Sequence, residues 1–302
     1  MSDWTPLAVL AVALGGAWLV AVAETVVAGA PAGPVAVLRA GAARLGEPFS
    51  SPARPDTWLY HLAPPLLLVA AVVALATVPW APAFRGVELS TGAILFAAAL
   101  AYVTPAVFMA GWGGGSPLAV LGGFRFLALM LGYAMPLAMT ITAVAAPAES
   151  LRPAAIVDVQ HAVPMALVQP AAFVLFVPAA MAVALLPPFD LATAADELGG
   201  GAFARYAGVH AVIIGLARRV LLVAVAGMTA ALFLAGWHGP LLPPAVWMAV
   251  KTAGVALLML AAGRRLPRFE LDRLVSLTWK LAIPLAILAI AWAGVVTLVF
   301  YS

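Results

Sequence analysis

Residues 185–225, LLPPFDLATAADELGGGAFARYAGVHAVIIGLARRVLLVAV, place an acidic loop and then an arginine pair between two apolar runs. The loop carries Asp190, Asp196 and Glu197, and residues 220–235, which follow the arginines, carry no charge. At 1.5 Å per residue this uncharged run is about 24 Å long, a little less than the roughly 30 Å hydrocarbon core of a bilayer. The stretch therefore predicts charged residues at the edge of a membrane-spanning helix, or partly inside it.

The composition places the whole chain in the membrane class. Of its 302 residues, 65% are hydrophobic and 9% are charged, whereas a soluble domain is about half apolar and about a quarter charged. The chain has no cysteine, which excludes disulfides, iron–sulfur ligation and thiolate zinc sites in this chain. Its four histidines lack the spacing of a metal or haem site. We predict an integral membrane protein that binds no metal and no cofactor of its own.

Eight apolar windows reach the length of about 20 residues that is needed to cross the hydrocarbon core. Their prolines and glycines do not exclude helices, because packing in a bundle re-satisfies the freed backbone groups. We predict an all-α fold, with residues 1–302 as a single transmembrane domain and one bundle of eight transmembrane helices. The predicted helices are 6–28, 58–79, 90–111, 124–146, 165–187, 209–235, 243–262 and 279–300.

The distribution of lysine and arginine predicts the orientation of the bundle. The loops after the first, third, fifth and seventh helices are rich in basic residues, whereas the opposite side has Arg85, Arg152 and Lys251. By the positive-inside rule these four loops face the cytoplasm and both termini lie outside, in the bacterial cytoplasmic (inner) membrane. The basic residues on the cytoplasmic side are Arg39, Arg44, Arg54, Arg125, Arg205, Arg264, Arg265, Arg268, Arg273 and Lys280.

Residues 33–49, GPVAVLRAGAARLGEPF, are too short to span a bilayer but have two distinct faces. Val35 and Leu38 fall on one side of a helix, and Arg39 and Arg44 fall on another. This pattern predicts an interfacial amphipathic helix after the first transmembrane helix.

Charged side chains at membrane depth are candidate functional residues, because a central charge costs roughly 2.5–3.5 kcal/mol on insertion. Glu24, late in the first helix, and Arg125, at the start of the fourth, have a second interpretation as charges at the membrane interface. Arg218 and Arg219 either mark the cytoplasmic end of the sixth helix, with side chains that reach the interface, or point into a polar chamber between helices.

The acidic loop is harder to explain as a solvated surface. Asp190, Asp196 and Glu197 lie on the predicted cytoplasmic side, against the local excess of positive charge. A solvated loop on this side does not require acidic residues, whereas a proton path or a docking face for another subunit does. The acids therefore indicate proton coupling or subunit docking.

Several spaced motifs carry a resemblance to a known family. PPFDLATAADEL (187–198), RYAG (205–208), LFLAGWHGP (232–240) and LPRFELDRLVSLTWKLAIPLAI (266–287) together resemble the H subunit of respiratory complex I. GWGGGSPLAVLGGFRFLALMLGYAMP, residues 111–136, is similar to the same family. The resemblance covers the chain well from Gly111 onwards and covers residues 1–60 loosely.

The resemblance implies eight spanning helices with both ends outside, and a subunit without a redox centre. It implies that the chain joins the membrane arm to a peripheral electron-transfer arm, lines the quinone tunnel and carries acids that couple electron transfer to proton movement. Quinone is then a substrate of the complex. The implied partners are iron–sulfur and quinone-site subunits of the peripheral arm, small and antiporter-like membrane subunits, and the lipid membrane, with no nucleic acid.

The candidate residues depart from the family pattern in their charge. Family glutamates fall on Ala134, Thr193 and Ala195 of this sequence, and two more fall on Arg205 and Arg218. An arginine stays protonated and cannot relay protons as a carboxylate does, so the resemblance implies an interrupted acid chain, and we expect the two arginines to pair with the acids of the loop. The candidate quinone-chamber or proton-coupling residues are Glu24, Arg125, Tyr133, Asp190, Asp196, Glu197, Arg205 and Arg218.

The segment before the last helix is a candidate docking site for the peripheral arm. We expect residues 266–280 to form a short cytoplasmic loop whose charges pair with charges on a partner face. The candidate docking residues are Arg39, Arg264, Arg268, Asp272 and Arg273.

The sequence thus predicts an H-like membrane subunit of a complex I-related oxidoreductase, which is not catalytic alone. One alternative keeps this fold in an energy-converting nickel–iron hydrogenase or another low-potential oxidoreductase. A second alternative, a stand-alone transporter, requires inverted repeats and a midplane site, and the sequence shows no repeat.

Overall fold

The computed structural model describes residues 5–29, 33–47 and 56–300, and within these residues the chain is helical without β-strands. Short 3₁₀ turns follow the fifth and ninth of the thirteen α-helices found in these ranges. The helices are α1 (Thr5–Val27), α2 (Pro34–Leu45), α3 (Thr57–Ala76), α4 (Gly92–Gly113), α5 (Pro117–Ala145), α6 (Pro153–Val159), α7 (Met165–Val168), α8 (Pro170–Val183), α9 (Ala195–Leu198), α10 (Gly208–Phe233), α11 (Pro244–Arg265), α12 (Leu271–Leu277) and α13 (Ile283–Phe300).

Seven segments of the described chain are long and apolar enough to cross a membrane, so the chain is an all-α, multi-pass membrane protein. They are α1, α3, α4, α5, α10, α11 and the run from α12 to α13. Helix α8 is also apolar but has 14 residues, which is about 21 Å.

Helix α10 forms the centre of the bundle. Every residue from Val220 to Phe233 is buried, and α10 packs against α1, α3 and α11, with further contacts to α2, α6 and α8. Lipid tails are as apolar as these side chains, so close packing, more than removal from water, holds such a helix in place.

Two predicted helices begin earlier in the structure. The fourth begins at Pro117, a residue type favoured in the first turn of a helix, so Arg125 lies inside α5 and not at its start. The predicted eighth helix, 279–300, begins at Leu271, because α12 continues into α13 without a break. The prediction that residues 266–280 form a loop is therefore wrong for residues 271–280.

A π-helical turn, Thr278–Ala282, joins α12 to α13. Pro284 has no N–H group, and its ring clashes with the carbonyl four residues earlier, that of Lys280. The wider turn accommodates this clash while the helix continues.

The predicted fifth helix, 165–187, is interrupted in the structure. Gln169 has non-helical dihedral angles, φ −129° and ψ 62°, and separates α7 from α8. The reason is Pro170, which disfavours the helical conformation in the residue before it. Helix α8 then ends at Val183.

The segment after α1 is helical over Pro34–Leu45, and its place at the membrane interface stays a prediction. Helix α2 has no buried residue, and the indole Nε1 of Trp18 donates a 3.2 Å hydrogen bond to the carbonyl of Pro34 at its start. Phe49, at the end of the predicted amphipathic segment, and Arg54 lie outside the described residues.

Gln160 joins three segments at the end of the bundle opposite the acidic loop. Its buried amide nitrogen donates to the carbonyls of Ile156 and Ala231, both at 2.9 Å. Its amide oxygen accepts from the backbone N–H groups of Met165 and Ala235, both at 3.0 Å. One side chain thus fixes α6, α7 and the end of α10 relative to one another.

Lys251 satisfies the carbonyls left free at the end of α10. Its ammonium group donates to the carbonyls of Leu234, Gly236 and His238 at 2.7, 2.9 and 2.6 Å. A cation at a helix C-terminus also stabilises the helix dipole. Lys251 of α11 therefore caps α10.

Candidate functional site

The acidic loop between α8 and α10 packs against one end of the helix bundle. Its residues from Leu185 to Ala194 are buried or half-buried. Gly201 has φ +56°, and a Cβ there would lie 2.0 Å from the carbonyl oxygen of Ala192, so this crossing of the chain requires glycine. The N–H of Ala202 donates to the same carbonyl at 3.0 Å. The loop therefore holds its acids in defined positions.

Arg268, after α11, binds two of the three loop acids. Its Nε and Nη2 donate to the two carboxylate oxygens of buried Asp190, each at 3.1 Å, and its Nη1 donates to Asp196. Burial lowers the pKa of Arg268, but the charges and hydrogen bonds of the two carboxylates raise that pKa by more. Such a two-pronged contact fixes orientation as well as charge. The loop is thereby tied to the segment that precedes α12.

The third loop acid, Glu197, forms an ion pair with Arg125 of α5. Arg125 lies in the third turn of that helix and is largely shielded, whereas Glu197 is exposed. Arg125 therefore contacts the acidic loop directly, and its position at the membrane interface stays a prediction.

Glu24 of α1 is paired with Arg219 of α10. The Nε and Nη2 of Arg219 donate to one carboxylate oxygen of Glu24 at 3.0 and 2.9 Å. The pair lies about 16 Å along α10 from the start of that helix. Both arginines lie within α10, and the level of the membrane surface along that helix stays a prediction.

Arg218, the neighbour of Arg219, supports the chain turn after α8. Its Nη2 donates to the carbonyl of Leu185 at 2.9 Å, and Leu185 has φ +56°. Its buried Nε has no hydrogen-bond partner in the described part of the chain. The carboxylates of Glu24 and Asp190 act on it through their charge, without direct contact.

The predicted pairing of Arg205 and Arg218 with the loop acids is wrong. Within the described ranges the acids pair with Arg268 and Arg125, and Arg205 is exposed without an ion pair. The reason is that α5 and the α11–α12 connection bring arginines closer to the loop than its neighbours in sequence do.

Two stacked tyrosines hold the end of the loop against α3. The Tyr60 hydroxyl donates to the carbonyl of Arg205 and the Tyr206 hydroxyl donates to the carbonyl of Tyr60, both at 3.1 Å. Their rings are 4.4 Å apart and nearly parallel. Burial, followed by the charge of Tyr60, raises the pKa of Tyr206, so its hydroxyl remains a hydrogen-bond donor at physiological pH.

Tyr133 lies apart from the acidic cluster. It follows Arg125 by eight positions in α5, about 12 Å along the helix, and its hydroxyl is 3.1 Å from the hydroxyl of Thr104. Both side chains are buried. The structure thus brings Tyr133 to α4 and not to the loop acids.

The predicted docking residues fall into two groups. Arg268 is occupied within the chain by the loop acids, so it is not free to pair with another subunit. Arg273 is 80% exposed and pairs with Glu270, which is 73% exposed and lies three residues earlier, just before the start of α12. The other exposed members are Arg39 of α2, Arg264 of α11 and Asp272 of α12.

Sequence reasoning missed the partners of the site residues. Asp190 and Arg268 are 78 positions apart, and Glu24 and Arg219 are 195 apart. No spacing rule connects residues at such separations. An excess of acids in one loop and unexplained arginines in others is the signal that could have suggested pairing.

No group of three or more metal-ligating side chains occurs in the described parts of the chain. What the site offers is fixed charge: three arginine-bound clusters that contain Glu24, Glu197, and Asp190 with Asp196. Such clusters bind and orient other groups, and they connect four helices at one end of the bundle.

Comparison with known proteins gives consistent matches. A family model described as NADH dehydrogenase matches residues 47–294. The chain is 37% identical over 245 residues to an NADH-quinone oxidoreductase H subunit of Syntrophobacter fumaroxidans, covering 78% of this chain and 74% of that protein. It is 34% identical over 254 residues to the NADH-quinone oxidoreductase H subunit of Geobacillus kaustophilus, covering 83% and 76%.

A solved structure has the same fold. A chain of the membrane-bound sulfane sulfur reductase, an archaeal respiratory membrane complex, superposes with a TM-score of 0.84. The match covers 96% of this chain and 98% of that chain at 21% sequence identity.

Proposed function

The chain belongs to the NADH dehydrogenase family, and from that premise we propose that it is the H-like membrane subunit of a complex I-related oxidoreductase. Its relatives are H subunits of NADH-quinone oxidoreductases. In this proposal the chain carries no redox centre, anchors a peripheral electron-transfer arm and lines the region where quinone, a substrate of the complex, is reduced. Iron–sulfur, quinone-site and further membrane subunits are its partners.

The observation that carries the proposal is the acidic loop, which is held under one end of the bundle by arginines from other helices. A charged loop that is tied to α5 and to the segment between α11 and α12 provides a rigid surface for a second subunit. Arg39, Arg264 and Arg273 are basic and exposed, and the positive-inside rule places them on the same side of the membrane as the loop.

The proposal includes eight crossings of the cytoplasmic membrane, with both termini outside. Arg125, in the third turn of α5, contacts Glu197, after α8. Helix α5 has 29 residues, about 43 Å, so the chain must return across the membrane between these two points. Helices α7 and α8 supply that return, and α2 lies at the interface with its arginines toward the headgroups.

The proposal also assigns a reduced role in proton transfer. The acids retained at the site are each bound by arginine, and arginine does not release a proton at physiological pH. In this proposal Asp190, Asp196 and Glu197 serve mainly to hold the loop in place, and Glu24 serves to join α1 to α10.

The experiment is to purify the tagged chain from native membranes in mild detergent and identify what comes with it. Iron–sulfur subunits, quinone-site subunits and electron transfer to an added quinone are the expected result. Nickel in the purified complex, or hydrogen evolution, favours the hydrogenase alternative. A chain that purifies alone and transports a solute contradicts the proposal.

Docking of the peripheral arm is tested by charge reversal on the exposed basic face. Arg264→Glu with Arg273→Glu should release the arm and leave the membrane subunits together. Arg85→Glu is the matched control, since Arg85 is exposed at the opposite end of the bundle. Loss of the arm in both variants, or in neither, contradicts this assignment.

A further inference from the structure

Two histidines from different helices meet beside the end of the acidic loop. The Nδ1 of His61, in α3, lies 3.2 Å from the Nε2 of His210, in α10, and the ring centroids are 5.1 Å apart. The two residues are 149 positions apart in the chain, so sequence spacing gives no indication of the pair. His61 is exposed and His210 is half-buried. The other two histidines, His161 and His238, line a pocket at the opposite end of the bundle.

The backbone around the two histidines is fixed by the neighbouring tyrosines. Tyr60 precedes His61, and its ring stacks on the ring of Tyr206, four residues before His210. The Tyr60 hydroxyl donates to the carbonyl of Arg205, beside Tyr206, and the Tyr206 hydroxyl donates to the carbonyl of Tyr60, both at 3.1 Å. Helices α3 and α10 also pack against each other. The fold therefore holds the two imidazole rings together, in addition to their own contact.

The distance between the two nitrogens is that of two ligands of one metal ion. Zn–N bonds are about 2.0–2.1 Å long, so two ligand nitrogens lie between about 2.9 Å apart at a right angle and about 3.4 Å apart at the tetrahedral angle. Imidazole nitrogen is a ligand for Zn²⁺, Cu²⁺ and Ni²⁺, whereas Mg²⁺ and Ca²⁺ prefer oxygen. Without a metal, one ring donates a hydrogen bond to the other. When a metal binds, that proton is carried by the opposite nitrogen of the same ring, so both facing nitrogens offer a lone pair.

The site is open to water and has room for further ligands. His61 lines a cleft of about 360 Å³ together with Thr57, Trp58 and Leu62. Trp58 is 84% exposed, as expected for an indole ring at the level of the lipid headgroups. An ion therefore reaches His61 from the aqueous side, and water molecules complete its coordination.

Local charge favours neutral imidazole rings and a bound cation. Both histidines lie near the N-terminal ends of their helices, where the helix dipole disfavours a protonated ring, and a metal ligand must be unprotonated. Asp56 immediately precedes α3, and the carbonyl oxygen of Glu47 lies 3.0 Å from the position of a Cβ on Gly208, the first residue of α10. Both acids are exposed, and their negative charge offsets the positive helix ends for a bound cation.

We propose that His61 and His210 form a binding site for a divalent transition-metal ion of the Zn²⁺ type. The two imidazoles supply two ligands and water supplies the rest, fewer protein ligands than the three or four of dedicated zinc sites, so the ion exchanges readily. A bound ion joins α3 to α10 where the two tyrosines hold the end of the acidic loop, and it acts there as a removable clamp. The inference goes beyond the proposed function, and it departs from the expectation that the chain binds no metal.

The test measures how well a metal ion protects each histidine from diethyl pyrocarbonate, which modifies imidazole rings, in native membranes. Peptide mass spectrometry measures the modification at each position of this chain, so metal sites in other subunits do not interfere. Zn²⁺ should lower the modification of His61 severalfold and leave that of the exposed His161 unchanged, while Mg²⁺ should protect neither.

The variant His210→Gln removes one of the two ligands. Even second-shell partners of a metal ion contribute about 10–100-fold in affinity, so the zinc concentration for half-protection of His61 should rise by at least about tenfold. His238→Gln is the matched control and should leave that concentration unchanged. Protection of His61 that is the same in His210→Gln as in the wild type, equal protection of His161, or equal protection by Mg²⁺ overturns the proposal. None of these outcomes depends on which subunits co-purify with the chain, so this inference and the proposed function fail independently.

A second measurement tests the clamp between α3 and α10. Zn²⁺ should raise the melting temperature of the detergent-solubilised wild type and of His238→Gln, but not that of His61→Gln or His210→Gln. The melting temperatures without metal show whether each variant folds, and any affinity tag must lack histidine. Equal zinc-dependent shifts in all four proteins, or a shift in none of them, overturn the proposal.

Discussion

Asp190 is buried, at 6% exposure, and both of its carboxylate oxygens are held by Arg268. Removal of one partner from a buried pair leaves an uncompensated charge. We expect Arg268→Ala to lower stability by about 2–3 kcal/mol, less than for a fully buried pair because Arg268 is partly exposed. Adding Asp190→Asn should recover part of the loss, as measured by melting temperature in detergent.

Arg273→Ala is the control for this prediction. Its pair with Glu270 is exposed to solvent, and such pairs contribute about 0–1 kcal/mol. If Arg268→Ala and Arg273→Ala change the melting temperature equally, Arg268 does not hold the acidic loop.

His238, in the turn after α10, makes the free energy of unfolding depend on pH. Burial lowers its pKa below the ordinary value of 6.5, and His161 and Lys251 lower it further, against the opposing effects of Asp158 and a hydrogen bond to Val157. The folded state therefore binds fewer protons than the unfolded state once the pH falls below about 6.5, and folding stability decreases in that range. Above that pH both states are neutral at this residue and the contribution vanishes.

The measurement is the melting temperature of the wild type and of His238→Gln, at about pH 7.5 and about pH 5.5. The variant should lose less stability on acidification than the wild type does. Parallel losses in the two proteins would show that His238 does not carry this dependence.

Among the elements, the junction of α6, α7 and α10 depends on the single amide of Gln160. Gln160→Leu keeps a similar volume but leaves four buried backbone groups without their partner, and each such group costs about 1–3 kcal/mol. We expect a fall of many degrees in melting temperature or a loss of inserted protein. His161→Leu, at the exposed neighbouring position, should have little effect, and equal effects of both changes would refute the role of Gln160.

The sequence predicts helix boundaries well where the length of an apolar run determines them. It predicts them poorly where a single proline changes the backbone conformation. Helices α1, α3, α4, α10 and α11 match the predicted segments closely. The break at Gln169 and the π-turn before Pro284 depend on single prolines inside apolar runs, and hydropathy does not distinguish a kinked helix from a broken one. The charges of α12 favour a loop when hydropathy alone is considered. In the structure Leu274 is buried while Asp272 and Arg273 are exposed, so the segment forms a helix with one apolar face.

The sequence identifies several charges of the candidate site, and their role in the membrane complex stays a prediction. Glu24, Arg125, Asp190, Asp196 and Glu197 were selected as unusual charges, and each takes part in an ion pair. The partners could not be selected, because they come from helices far away in sequence. Arg205 was grouped with the acids because it is near them in the chain, and tertiary packing separates them.

For the whole molecule, the orientation in the membrane is testable by labelling. The positive-inside rule places Leu266 in the cytoplasm and Leu241 outside, and both residues are exposed. A cysteine at position 241 should react with an impermeant thiol reagent added to intact cells, and one at position 266 should react only after the cells are opened. The reverse pattern would invert the orientation.

The pairing of Glu24 with Arg219 also has a consequence for biosynthesis. The two residues are 195 positions apart, so at about 5–20 residues per second the ribosome needs about 10–40 s to supply the arginine after it has made the acid. During that time α1 and α3 have been made, but α10, against which both pack, has not. Nascent α1 and α3 therefore lack this packing partner until α10 has been made, and we expect a chain truncated before α10 to be degraded faster than the full chain.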